Sequence, residues 1–171
     1  MTKTRKMVLL SILISQALAL HVIESAIPLP IPVPGVKLGL ANIITLFVII
    51  VFGYKETIIV VLLRTFLGSF FGGGLSGFLY SIAGGLLRAT IMAFMYIRHK
   101  NIFSIVTIST VGAIFHNIGQ LAVASLVVSN AYLFYYLPVI LISGVITGVM
   151  IGLTVQFTIN PLKRILKISS D

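Results

Sequence analysis

Six long apolar blocks follow one another along the chain, at roughly 7–26, 38–53, 56–71, 75–97, 102–128 and 132–158. A helix needs about 20 apolar residues to cross hydrocarbon, and each block is close to that length, the second and third being short. The interruptions have the chemistry of breaks. Pro28, Pro30, Pro32 and Pro34 alternate with apolar residues, which excludes a helix and favours an extended segment. The breaks at 53–56, 72–74, 98–101 and 129–131 carry glycine, charge or Ser-Asn. No internal repeat stands out. The pattern predicts one transmembrane domain over 1–171, an all-α integral membrane protein built as a six-transmembrane-helix bundle.

Composition explains why lipid must be the solvent. Of the 171 residues, 58% are hydrophobic and 9% charged, and the mean hydropathy is +1.17. A soluble domain of this size could not hide so much apolar surface. Cysteine is absent, which excludes disulfides and thiolate metal sites.

The net charge of +9 would suggest nucleic acid in a soluble protein. Here it follows the breaks. Lys3, Arg5, Lys6, Lys55, Arg98, Lys100, Lys163, Arg164 and Lys167 fall before helix 1, in the second and fourth breaks, or after helix 6. The remaining breaks hold Lys37 alone. This positive-inside pattern predicts both termini in the cytoplasm and a multi-pass protein of the cell membrane, with no role in binding nucleic acid. The first residues, an apolar run and 17–19 (Ala-Leu-Ala) also have the form of a cleavable signal peptide, but the charge alternation favours retention of helix 1.

Small residues recur at four-residue spacing: Ser11, Ser15 and Ala19 on helix 1, Gly68 and Gly72 on helix 3, and Gly144, Gly148 and Gly152 on helix 6. In lipid this spacing lets helices approach closely, either inside the monomer or against another membrane subunit. Ionisable and amide groups within crossings are functional candidates by default. His21, Glu24 and Asn42 fall near the outer ends of helices 1 and 2, close to Lys37. His116, Asn117 and Gln120 lie on helix 5, His116 about 20 Å from its cytoplasmic end. Together they predict one outward-facing pocket rimmed by the proline-rich segment. For His21 the bland alternative is an interfacial residue, and for Asn117 and Gln120 it is interhelical hydrogen bonding.

Arg64, about 12 Å from the cytoplasmic end of helix 3, and Arg88, near the middle of helix 4, are expected elsewhere, at depths that do not suit Glu24. Ser81, Gly84, Gly85 and Arg88 make one polar, small-residue face. The two arginines suit an anionic ligand or a partner's acids, because a guanidinium grips phosphate or carboxylate bidentately. Structural or snorkelling roles are the alternative.

Several chemistries lack their residues. Residues 72–77 hold glycines and a serine but no lysine, so they make a turn and no nucleotide-binding P-loop. The only aspartate is Asp171, which leaves no carboxylate cluster for metal-dependent diphosphate chemistry. No catalytic residue, metal or cofactor is expected, and the chain is not expected to be an enzyme by itself.

Residues 34–43 (PGVKLGLANI) and 112–121 (GAIFHNIGQL) resemble the signatures of a bacterial membrane family catalogued as heptaprenyl diphosphate synthase component I, or Gx transporter. The resemblance covers nearly the whole chain. That family is similar in size and topology to the S components of energy-coupling factor (ECF) transporters. This second likeness implies a six-helix, ligand-binding subunit docked through helix 1 on a membrane coupling subunit driven by two cytoplasmic ATPases. Ser11, Ser15 and Ala19 resemble the docking motif, with two serines where alanines are usual. The synthase description implies isoprenoid or quinone metabolism, although a chain with one aspartate cannot carry the aspartate-rich motifs of prenyl synthases.

Two functions therefore compete. The first is a substrate-binding subunit of an ECF-type importer for a small anionic, isoprenoid or vitamin-like molecule. Glu24, Lys37, Asn42, His116, Asn117 and Gln120 would line its site, and Arg64 and Arg88 would serve the ligand or a partner. The second is an accessory membrane subunit of prenyl diphosphate or quinone-linked metabolism, anchoring a soluble enzyme or presenting a lipid diphosphate. A structural subunit of an electron-transfer assembly is a weaker third, unsupported by any bis-histidine pattern.

Overall fold

In the computed structural model, which describes residues 2–25 and 39–166, every apolar block forms helix. The helices are α1 (Lys3–Ser25), α2 (Asn42–Phe52), α3 (Tyr54–Gly68), α4 (Gly74–His99), α5 (Ile105–Val128) and α6 (Leu137–Leu166). A widened π-helical turn, Ser69–Gly73, links α3 to α4, where a simple tight turn was expected. A 3-10 turn, Ala131–Tyr136, leads into α6. Among the described residues there is no strand.

The junctions follow from local chemistry. Gly53 has φ +92°, a conformation that side chains resist, and it reverses the chain between α2 and α3 without an intervening loop. Ser104 caps α5 by accepting a 3.1 Å hydrogen bond from the Thr107 amide. Ser129, in the left-handed conformation, ends the same helix, and Asn130 accepts from the Tyr132 amide at 2.9 Å to begin the 3-10 turn. Helix α6 continues through Pro161 to Leu166, beyond the expected stop at 158, with the loss of one backbone hydrogen bond.

Helix length changes the expected picture of six crossings. Among the described residues four segments are long and apolar enough to span a membrane: Lys3–Glu24, Gly74–His99, Ile105–Val128 and Ala131–Ile159. The 11 residues of α2 and the 15 of α3 rise only about 17 and 23 Å, short of the ~30 Å hydrocarbon core. They form a bent hairpin packed on the longer helices.

Helix α5 lies between α4 and α6. A Cβ at Gly148 of α6 would stand 2.6 Å from Thr110 Cα, and one at Gly152 would stand 2.6 Å from Val106 Cα. The small residues of α6 are thus spent on packing within the monomer. Below this contact Leu46, Phe47, Ile49, Met92, Ile108, Ile151 and Val155 form the main core. Helix α1 joins through a smaller cluster of Ala17, Ile44, Val48 and Val60. Its far side stays exposed, including Ser11, Ser15 and Ala19.

Lys6 at the start of α1 pairs with Glu56 at the start of α3. Tyr54 and Arg98 line one groove, and Leu9 and Thr158 line another. These contacts bring the start of α1, the α2–α3 bend, the end of α4 and the descending part of α6 to a common end of the bundle. Lys3, Arg5, Lys6, Lys55, Arg98 and Lys100 all belong to that end.

Candidate functional site: a buried arginine cluster

Away from the basic end, the polar side chains turn inward. Glu24, near the end of α1, is 3% exposed. Its carboxylate accepts hydrogen bonds from the Gly39 amide and, at 3.2 Å, from the Leu40 amide. The Asn42 and Ile43 amides bond back to the Gly39 and Leu40 carbonyls at 2.8 and 3.1 Å. Glu24 therefore holds the turn that leads into α2, where a negative charge also suits the helix dipole. Gly39 is needed there: its φ is +82°, and a Cβ would lie 2.6 Å from Asn42 Nδ2.

Asn42 passes the connection inward, accepting from Arg64 Nη2 at 3.0 Å. Arg64 lies beside Gly85 of α4, where a Cβ would come within 3.6 Å of Nη2. One turn on, Arg88 is 1% exposed, with its stem on Gly112 of α5 and its Nη2 3.5 Å from Ser109 Oγ. Arg64 lies within electrostatic reach of Glu24, and Arg88 within reach of both. The Nε of each arginine is buried without a hydrogen-bond partner, as is Thr45 Oγ1. His116 Nδ1 faces the Gly84 backbone without a well-formed bond, and Gln120 Cγ packs on the same glycine.

This geometry corrects the expectation that Arg64 and Arg88 lie apart from Glu24. Two things bridge the difference in depth along the helix axes: the reach of a guanidinium, and the Gly39–Asn42 turn that carries the connection from Glu24 to Arg64. Glu24, the Gly39–Asn42 turn and Arg64 are joined by hydrogen bonds, and buried Arg88 and His116 lie within electrostatic reach of Arg64. Asn117 points away from it, toward α6: its Nδ2 donates to the Ile140 carbonyl at 2.8 Å and rests against Gly144. His21 packs its ring on Gly68, binding α1 to α3. Lys37 and the proline-rich segment fall outside the described residues.

Ser109 and Thr45 were not foreseen. Ser109 had a readable signal, because it continues the Gly112–His116–Gln120 face of α5 one turn back. Thr45 had the same kind of signal, lying one turn after Asn42 on the same face of α2.

Chemically, the cluster offers two guanidinium groups against one carboxylate already holding two amides. An oxyanion fits such a site, because burying an unmatched cation is expensive and the planar fork suits phosphate or carboxylate. Among the described residues no group of three or more His, Cys, Asp or Glu converges as a metal site would require.

Helices of spanning length around a buried ionisable cluster define an all-helical membrane protein. The model of the family described as heptaprenyl diphosphate synthase component I matches residues 13–158. The chain belongs to that family. No curated protein and no solved structure matches it.

Proposed function

We propose that this protein is the substrate-binding membrane subunit of an energy-coupling-factor-type importer, and that its substrate is a small anion held at Arg64 and Arg88. One observation carries the reading: two arginines are buried in the bundle with unpartnered Nε groups, and among the described residues Glu24 is the one acid within electrostatic reach of them. Glu24 and Asn42 position Arg64, while Ser109, His116 and Gln120 stand along the α4–α5 side of the site. The exposed Ser11, Ser15 and Ala19 stripe supports docking of α1 on a membrane coupling subunit. With no P-loop in the sequence, energy would come from two partner ATPases. The basic end of the bundle supports a cell-membrane topology with both termini in the cytoplasm.

The family description favours a second reading, an accessory subunit that presents a prenyl diphosphate or anchors a soluble enzyme. A diphosphate is itself an anion suited to paired arginines, so both readings share the site and differ in the partner. Affinity purification of the tagged chain from its host's membranes separates them. A coupling subunit with two ATPases is the expected recovery. A soluble prenyl synthase without ATPases would overturn the importer reading and establish the accessory one.

A further inference from the structure

At the basic end a lateral groove of about 590 Å³ runs between the start of α3 and the end of α4. Tyr54, Thr90, Ala93, Phe94, Ile97 and Arg98 line it. The volume is within the ~300–1,000 Å³ of ordinary small-molecule clefts. Three features give the groove a direction. Its floor and one wall are apolar, Ala93 being buried while Phe94 and Ile97 are 60% and 63% exposed. That wall is braced, because the His99 ring meets Phe94 edge-on at 5.9 Å and Phe103 at 6.2 Å. The other wall is tied to α4 by a 3.2 Å hydrogen bond between Tyr54 Oη and Thr90 Oγ1.

Charge lies only at the mouth. Arg98 is exposed in the last turn of α4, and Lys55 is exposed next to Tyr54. The nearest acid in sequence, Glu56, is paired to Lys6 of α1 and lies within electrostatic reach of Lys55, which leaves Arg98 as the main cation of the groove. An apolar trough ending in cations, beside an interfacial tyrosine, matches an amphiphile with an anionic head. Basic pockets between membrane helices bind lipid headgroups in this way.

We infer that this groove is a binding site for an anionic phospholipid, whose acyl chain lies along Phe94 and Ile97 and whose phosphate meets Arg98. The site is separate from the buried arginine cluster and does not depend on the function proposed for it. Lipid occupying it would fasten the short α3 to α4 at the bundle end.

Native mass spectrometry of the full chain in detergent tests this, titrating phosphatidylglycerol and phosphatidylcholine of identical acyl chains. Wild type should bind phosphatidylglycerol about fivefold more tightly, the effect of one interfacial cation on an anionic lipid. Arg98→Gln should abolish the preference. Thr90→Phe, which fills the groove, should weaken both lipids. Lys3→Gln removes a charge of the same end away from the groove and should leave the preference intact. Equal binding of the two lipids to wild type would overturn the proposal. So would equal losses in Lys3→Gln and Arg98→Gln, or competition by inorganic phosphate alone.

Discussion

Helices α5 and α6 meet backbone to backbone, with Gly148 and Gly152 against Thr110 and Val106, whereas α1 meets its neighbours through side chains: Ala17 with Leu10, Leu13, Ile14 and Leu20 around it, the His21 ring on Gly68, and the polar contacts of Lys6 and Glu24. One region is a close-packed scaffold. The other is a long helix with an exposed outer face, laid against a hairpin of two short helices. The arginine cluster sits beside the seam between them: Glu24, Asn42 and Arg64 come from the looser side, Ser109 and His116 from the scaffold, and Arg88 from α4, which packs on it. The same small-residue spacing thus serves two ends. On α6 it is consumed by internal packing, and on α1 it is left facing outward.

Substitution should separate the two uses most sharply. Gly148→Leu forces a side chain into the Thr110 backbone and should cost about 3 kcal/mol or more, since overpacked backbone cannot relax as a side chain can. Ser15→Leu adds similar bulk on exposed α1 and should change stability by no more than about 0.5 kcal/mol. Thermal melts in one detergent compare them directly, and equal losses would end the distinction.

The seam should respond in binding before stability. Arg88→Gln removes a charged donor worth about 1.5–3 kcal/mol to a bound oxyanion, a loss of about 10- to 100-fold in affinity. The fold should survive, because an unmatched buried cation has been removed. Isothermal titration with the co-purifying anion reads this out. Asn117→Ala should act the other way round, loosening α5 from α6 by about 1 kcal/mol while leaving that affinity unchanged.

Next comes the turn that Glu24 holds. Glu24→Gln keeps an acceptor for only one of the Gly39 and Leu40 amides, sets its NH2 against the other and loses the charge, with an expected cost of about 1–2 kcal/mol visible in a thermal melt. The smallest effect belongs to the basic end. The Lys6 ammonium, hydrogen-bonded to Glu56, holds that carboxyl below its ordinary range, with burial working against it. A carboxyl lowered in the folded state stabilises above its unfolded pKa, about 4.3, and that contribution is lost as pH falls below this value. Glu56→Gln should cost less than about 1 kcal/mol at neutral pH and flatten the acid side of the stability profile.

Much of this architecture was legible because lipid imposes it. Apolar length located every helix, and the distribution of Lys and Arg anticipated a single basic end. The spacing of Gly144, Gly148 and Gly152 announced a helix contact without naming the partner. What stayed hidden depends on the third dimension. The convergence of Glu24 with Arg64 and Arg88 runs through the amides of Gly39 and Leu40, and backbone groups leave no mark in a sequence. The Ile140 carbonyl that engages Asn117 is invisible for the same reason. The shortness of α2 and α3 could be counted, but not that they would form a hairpin under the seam.

The most direct test asks what the seam holds. Wild type, Arg64→Gln with Arg88→Gln, and Ser11→Leu with Ser15→Leu would be purified from native membranes, and their retained small molecules identified by mass spectrometry. The account predicts an anionic molecule with wild type, its loss from the arginine variant, and its retention by the serine variant after partner proteins have been lost. Undiminished retention by the arginine variant, or a neutral molecule in the site, would contradict it.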